Sequence, residues 1–238
     1  MGRDIYPNLS RKNYLAGIYA EIAMQSYYNA HNLYEDIKKN NYNCNDFYQL
    51  SEMEKQVIST VVFSAMCIES FFNNYAASCL GDAEFYDNFD KLSTISKFQL
   101  IAKFILKMDI DKSKAYYSRL KQLIRCRDNY VQNKSKLSKF QGLSEDEYGK
   151  IKEFREYIDE KLMECTLPKV DIDNTFKEAY NALKAIYDIA FLFDLYDSNI
   201  QAVTRLFQPY GIVYGEVLER KFKTVVFKDL GIKVNGVI

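Results

Sequence analysis

The sequence predicts an all-α fold: a helical bundle of about five to six helices with a small C-terminal appendage. Three observations carry this. The 238 residues hold only nine glycines and three prolines, so turns are few and helices long. Apolar residues recur at three- and four-residue spacing over most of the chain. Twice a serine followed three residues later by glutamate precedes such a run, Ser51 with Glu54 and Ser144 with Glu147, the spacing of a capping box. At 48% apolar and 27% charged, the chain is long and apolar enough for a real core, which excludes disorder and fibrous repeats.

A first helix runs from residue 11 to about 39, with Leu15, Ile18, Ile22, Tyr27, Leu33, Tyr34 and Ile37 on a broad apolar face. The stretch NNYNCN, residues 40–45, reads as a break. Ser51 opens a second helix that is apolar almost all round through VVFSAMCIESFF, so it belongs at the centre of the bundle; Gly81 ends it. A third helix covers residues 91–107 with Leu92, Ile95, Phe98, Ile101, Ala102 and Ile105 on one side. The fourth spans about 112–135, the fifth 144–163, and after a break at Pro168 the sixth spans 173–196. The last forty residues change character: they hold four of the nine glycines, and FKTVVF at 222–227 alternates like a strand. Residues 1–198 are therefore read as the bundle and 199–238 as the appendage, with a short β-strand.

Composition narrows the chemistry. The single histidine, His31, excludes a His-rich metal site and leaves any histidine-based triad resting on one residue, so neither metal nor cofactor is expected. Five cysteines, an odd number with no Cys-x-x-Cys pair, fit a reduced cytoplasmic protein. The first fourteen residues carry no apolar stretch after their charges, which argues against a signal peptide, and they lack the serine or threonine of a myristoylation site. The longest charge-poor stretch, 57–80, contains Glu69, Asn73 and Asn74 and reads as a buried helix rather than a membrane span.

The net charge of zero is an average of opposites. Residues 112–139 hold nine bases and one acid, Asp128, whereas residues 144–165 hold eight acids and four bases. Such a basic helix is a footprint for phosphate, and Tyr116, Tyr117 and Tyr130 on it are candidates for stacking on bases. The plainer reading is a solvated face neutralised by the acidic segment. On the same helix Tyr116, Leu120, Leu123, Ile124 and Val131 form an apolar stripe with Arg127 near its centre. An arginine facing a core must be paired or must line a cavity. Glu69, the one charged residue between Val57 and Leu80, is the expected partner. The bland alternative is an ion pair that only fixes helix register.

The segment IRCRDNYVQNKSK, residues 124–136, resembles the signature of HEPN-domain proteins, Arg-Asn-x-x-Val-His-x-Lys. Arg127, Val131 and Lys134 match it; Asp128 stands where asparagine is usual, and Gln132 stands in place of the histidine. The helix AMCIESFFNNYA resembles the upstream family helix with its Ile-Glu-x-x-x-Asn pattern, here Ile68, Glu69 and Asn73, and KLSTISKFQLI resembles the connecting helix. The resemblance covers roughly residues 51–198.

It implies a helical bundle, a homodimer, and a metal-independent ribonuclease or RNA-binding protein of toxin–antitoxin, abortive-infection or CRISPR systems. It also implies catalytic positions at Arg127, Gln132 and Glu69, and contacts to RNA or a nucleotide from Arg125, Asp128, Lys134, Lys136, Tyr130 and Asn73. In active members, arginine and histidine meet at a dimer cleft, where arginine stabilises the charged transition state while the 2′-hydroxyl attacks the phosphate. A glutamine can hydrogen-bond a phosphate but cannot exchange a proton near neutral pH, and losing acid–base help costs about 10²–10⁴-fold. The toxin branch carries a modifiable tyrosine two residues past the histidine; here that position is Lys134. Arg125 is the second-ranked motif arginine, and His31 the one available substitute base.

Three readings follow. The first is a binding protein with a degenerate catalytic motif. The second is an active endoribonuclease using Arg127 with Gln132, Glu69 or His31. The third is a bundle that serves as a dimerisation or partner-binding platform.

Overall fold

The computed structural model describes residues 14–40, 47–81, 84–132, 171–207 and 221–232. It is an all-α bundle, and no strand occurs among the described residues. The predicted fifth helix at 144–163 and Lys134 and Lys136 lie outside them.

The first helix, α1 (Tyr14–Lys39), buries a stripe of small residues, Ala16, Ala20, Ala23 and Ala30, with Met24 and Tyr27 between them. Small side chains let its backbone approach α2 (Phe47–Leu80) closely, and the two run antiparallel. The Tyr19 and Phe63 rings meet at 6.0 Å, and Ser26 Oγ donates to Ser59 Oγ at 3.0 Å. Ser51 lies a full turn inside α2, so the Ser51–Glu54 pair does not cap it. Gly81 does end it, with φ +84 and its N–H on the Ala77 carbonyl at 3.0 Å, the left-handed close that glycine permits without strain. By length and composition residues 48–80 pass for a membrane span, and half of that window is buried within the bundle.

After a π-helical turn at Phe85–Phe89, Ser93 caps α3 (Thr94–Leu100) by accepting from the Ser96 N–H at 3.2 Å. The helix widens into a second π-helical turn, Ile101–Ile105, and closes with Lys107 at φ +56. Next comes α4 (Ala115–Val131), which buries Tyr117, Leu120 and Leu123. The stripe expected along its whole length holds only for its first half: Val131 is 59% exposed, because the last two turns run past the core.

The sixth predicted helix is α5 (Ile172–Tyr196), capped by Asp171 accepting from the Asn174 N–H at 3.1 Å. It lies along α2, with Phe193 against Phe71, Phe72 and Tyr75, and it is bridged to the antiparallel α4 by the Arg119–Asp188 ion pair. Two shorter helices close the structure, α6 (Ala202–Phe207) and α7 (Lys221–Leu230). FKTVVF is thus helical rather than a strand. Val226 and Leu230, one helical turn apart, are buried in the shared core, and that burial overrides the β-propensity of the Val-Val-Phe run. Tyr27 Oη donates to Asp229 Oδ2 at 2.8 Å and holds α7 on α1.

Removing the ring that α2 and α5 share should therefore be costly. Phe193→Ala is expected to lower unfolding free energy by about 3–5 kcal/mol in urea denaturation, the range for a fully buried phenylalanine; a loss below about 1 kcal/mol would show that the α2–α5 contact is not packed as described.

Candidate functional site

Two places among the described residues bear on the side chains singled out from the sequence. The first lies between α2 and α3. Lys97 is on the apolar side of α3 with Thr94, Phe98 and Ile101, and it is buried. Its Nζ donates to Asn73 Oδ1 at 2.8 Å and stands 3.8 Å from Glu69 Oε1. Glu69 is 37% exposed, so the carboxylate opens to water while the ammonium does not. A buried ammonium is tolerable only with such acceptors.

Two residues singled out from the sequence, Glu69 and Asn73, are thus brought together by a third that was not. Lys97 carried a readable signal: it is the one charged residue among the inward positions 94, 97, 98 and 101 of its helix.

The second place is the C-terminal end of α4. Arg127 is half-buried, 28% exposed, with Nε 3.0 Å from Asp128 Oδ1. Adjacent residues on a helix do not face one another. Accordingly the Nε–H does not point at the carboxylate, and it is buried without a hydrogen-bond acceptor among the described residues. Gln132 is the exposed C-cap, its N–H on the Asp128 carbonyl at 3.0 Å. Arg125 is exposed.

Tyr130 Oη donates to Glu178 Oε2 at 2.6 Å, and burial, then the Glu178 carboxylate, raise its ionisation well above the usual tyrosine range. Beside it Gln122, Cys126, Glu178 and Asn181 rim a cavity of about 10 Å³ over Val61, room for roughly one water. Burial raises the Cys126 thiol, which makes it a poor nucleophile at neutral pH.

These two places are apart, which corrects the expected Glu69–Arg127 pair. Val61 and Cys126 line the same cavity, and Glu54 acts on Tyr130, so α2 and α4 run antiparallel there. Glu69 lies eight residues beyond Val61, roughly 12 Å along the axis at ~1.5 Å per residue, while Arg127 continues the other way. Glu69 takes Lys97 as its partner, and Arg127 takes Asp128.

The proposed stacking tyrosines also divide. Tyr117 is core, with Gln99 Nε2 donating to its hydroxyl at 3.1 Å; Tyr116 packs edge-on against Phe98; Tyr130 is tied to Glu178. His31 stands 4.0 Å from Asp229 and edge-on to Phe176. Phe176 and Glu178 are separated by about 200° around α5, so the helix itself stands between His31 and Tyr130. Among the described residues no group of three potential metal ligands converges.

No family model, curated protein or solved structure matches this chain.

The Lys97 cluster gives an ordered prediction. Asn73→Ala leaves a buried ammonium short of its nearest acceptor and should cost about 1.5–3 kcal/mol, the range for a hydrogen bond to a charged group. Lys97→Met leaves only groups that water can reach and should cost less. Thermal and urea unfolding of both variants check the order; a more damaging Lys97→Met would mean that the ammonium is a net stabiliser.

Proposed function

We propose that this chain is an HEPN-like bundle that binds RNA or a nucleotide at the C-terminal end of α4, with Arg127 as the anchoring cation and catalysis lost or weak. The observation that carries the reading is Arg127 itself. It is a half-buried guanidinium in the register of an apolar stripe, with a buried Nε–H aimed at no acceptor among the described residues. An arginine in that position retains donors for a phosphate, whose oxygens a planar fork binds in pairs.

Asp128 beside it and Gln132 at the C-cap supply further polar contacts, while exposed Arg125 is turned away around the helix. The motif position taken by Gln132 offers hydrogen bonding without proton transfer, which supports binding over cleavage. The protein acts in the cytoplasm, as a homodimer, in a prokaryotic defence or stress system. Glu69, held by Lys97 some 12 Å along the axis, does not join Arg127 within one chain by this reading.

Fluorescence anisotropy with a labelled oligouridine tests it. Binding is expected, without cleavage, and Arg127→Ala should weaken it at least 10-fold, as for loss of a charge-assisted contact of about 1.5 kcal/mol or more. Absence of binding to RNA and to mononucleotides by the intact chain would refute the reading. Gln132→His should raise cleavage that leaves a 2′,3′-cyclic phosphate by about 10²-fold or more; no gain in a folded dimer would count against a decayed catalytic centre.

A further inference from the structure

We infer that the outer ridge of α4 is a track for the backbone of single-stranded RNA, separate from Arg127 and lying on the opposite side of the same helix. The inference rests on the reading that the chain binds RNA, and it names the form of RNA and the residues that meet it.

The ridge is set by helical periodicity. Lys114, Ser118, Lys121, Arg125, Asn129 and Gln132 follow one another at steps of three or four residues, and all six are exposed. At about 100° per residue Arg127 is turned some 200° from Arg125, toward Leu120 and Leu123 and away from the ridge. Only Lys114 has an ion pair among the described residues, with Asp111 at 3.9 Å, and both partners are largely in water, where such a pair is weak. Asp128 flanks the ridge with its carboxylate beside Arg127 Nε. Three cations therefore stand on one solvated line, interleaved with hydroxyl and amide side chains and with no aromatic ring.

That chemistry selects a phosphate–sugar backbone. Cations neutralise phosphates, and the Asn129 amide offers hydrogen bonds to phosphate and ribose oxygens, while the Ser118 hydroxyl donates to the Ala115 carbonyl at 3.0 Å. With no ring on the ridge, bases are not stacked there and contact is independent of sequence. A convex helical ridge enters a groove or follows a strand. The major groove of duplex RNA is too deep and narrow for side chains, and recognition across its minor grooves spans about 16 base pairs, far longer than this ridge, which favours the strand. From Lys114 to Arg125 the ridge extends roughly 16 Å at ~1.5 Å per residue. At about 3.4 Å per stacked nucleotide that is a footprint of about five nucleotides.

The test is the salt dependence of binding of a fluorescein-labelled oligouridine decamer to the full chain, for wild type, Lys121→Gln/Arg125→Gln and Arg127→Ala. Three ridge contacts with Arg127 as the fourth give a slope of log K against log [NaCl] of about −2.8 on a single strand, and the two contacts left in the double variant give about −1.4. The proposal expects the double variant to flatten the slope by about 1.4 with an unchanged circular dichroism spectrum and melting temperature. The charge-preserving Lys121→Arg/Arg125→Lys variant should keep the wild-type slope.

If wild type binds, Arg127→Ala weakens it and the double variant keeps the wild-type slope, the ridge is overturned while RNA binding stands. If wild type binds no RNA, the underlying reading has failed and the ridge with it. Equal affinity for a blunt RNA duplex of the same length would overturn the assignment to a single strand.

Discussion

Phe72 is the joint of this molecule. Its ring is buried in the C-terminal third of α2, stacked at 5.6 Å on Phe98 from α3 and at 5.7 Å on Phe193 from α5. One side chain thus fixes three helices, and aromatic pairs of this kind contribute about 0.5–1.5 kcal/mol beyond the area they bury. Phe98 continues the chain of rings to Tyr116, so the start of α4 is also placed by it. The buried polar cluster sits beside this joint: Asn73 follows Phe72, Lys97 precedes Phe98, and the ammonium can reach its acceptor only because the two rings have set the spacing of α2 and α3.

The same packing explains why the two polar places differ. Near the joint the helices are held on several sides, and a cation there must be matched by protein groups, as Lys97 is. Toward the C-terminal end of α4 no side chain is fully buried beyond Leu123, and Tyr130, Val131 and Gln132 meet solvent. Arg127 lies in that outer region, where a guanidinium can be half-covered without a full set of partners. One helix accordingly carries a core segment, a solvated basic ridge and a half-covered arginine, each set by how much of the bundle stands against it.

Much of this was legible in the sequence because it depends on period and punctuation. The helices at 14–39, 47–80, 115–131 and 172–196, the centrality of VVFSAMCIESFF, and Gly81 as a helix end follow from local spacing and backbone freedom. What was not legible depends on neighbours distant in sequence. FKTVVF reads as a strand until α1 and α5 offer a surface that takes Val226 and Leu230 from one helical side. Ser51 has the spacing of a cap, yet α2 already begins at Phe47. Tyr117 looks like an available ring on a basic helix until α3 covers it and Gln99 takes its hydroxyl. At the candidate site the sequence pointed to Glu69, Asn73 and Arg127 as unusual residues, but partner choice is geometric, and Lys97 rather than Arg127 reaches Glu69.

The clasp between Tyr27 and Asp229 joins residues 202 apart in the chain. Closing a loop of that size costs entropy that only late contacts return, and long-range closures of this kind slow folding relative to a bundle of local hairpins. During synthesis the α1–α2 hairpin emerges before α5 and α7; Phe176 of α5 reaches the Tyr27 ring at 5.3 Å, but the Tyr27 hydroxyl has no Asp229 acceptor until α7 has left the ribosome. The order in which the chain appears thus makes α7 the latch of the fold, and until Val226 and Leu230 dock, the partly assembled bundle keeps their apolar seat open to other chains.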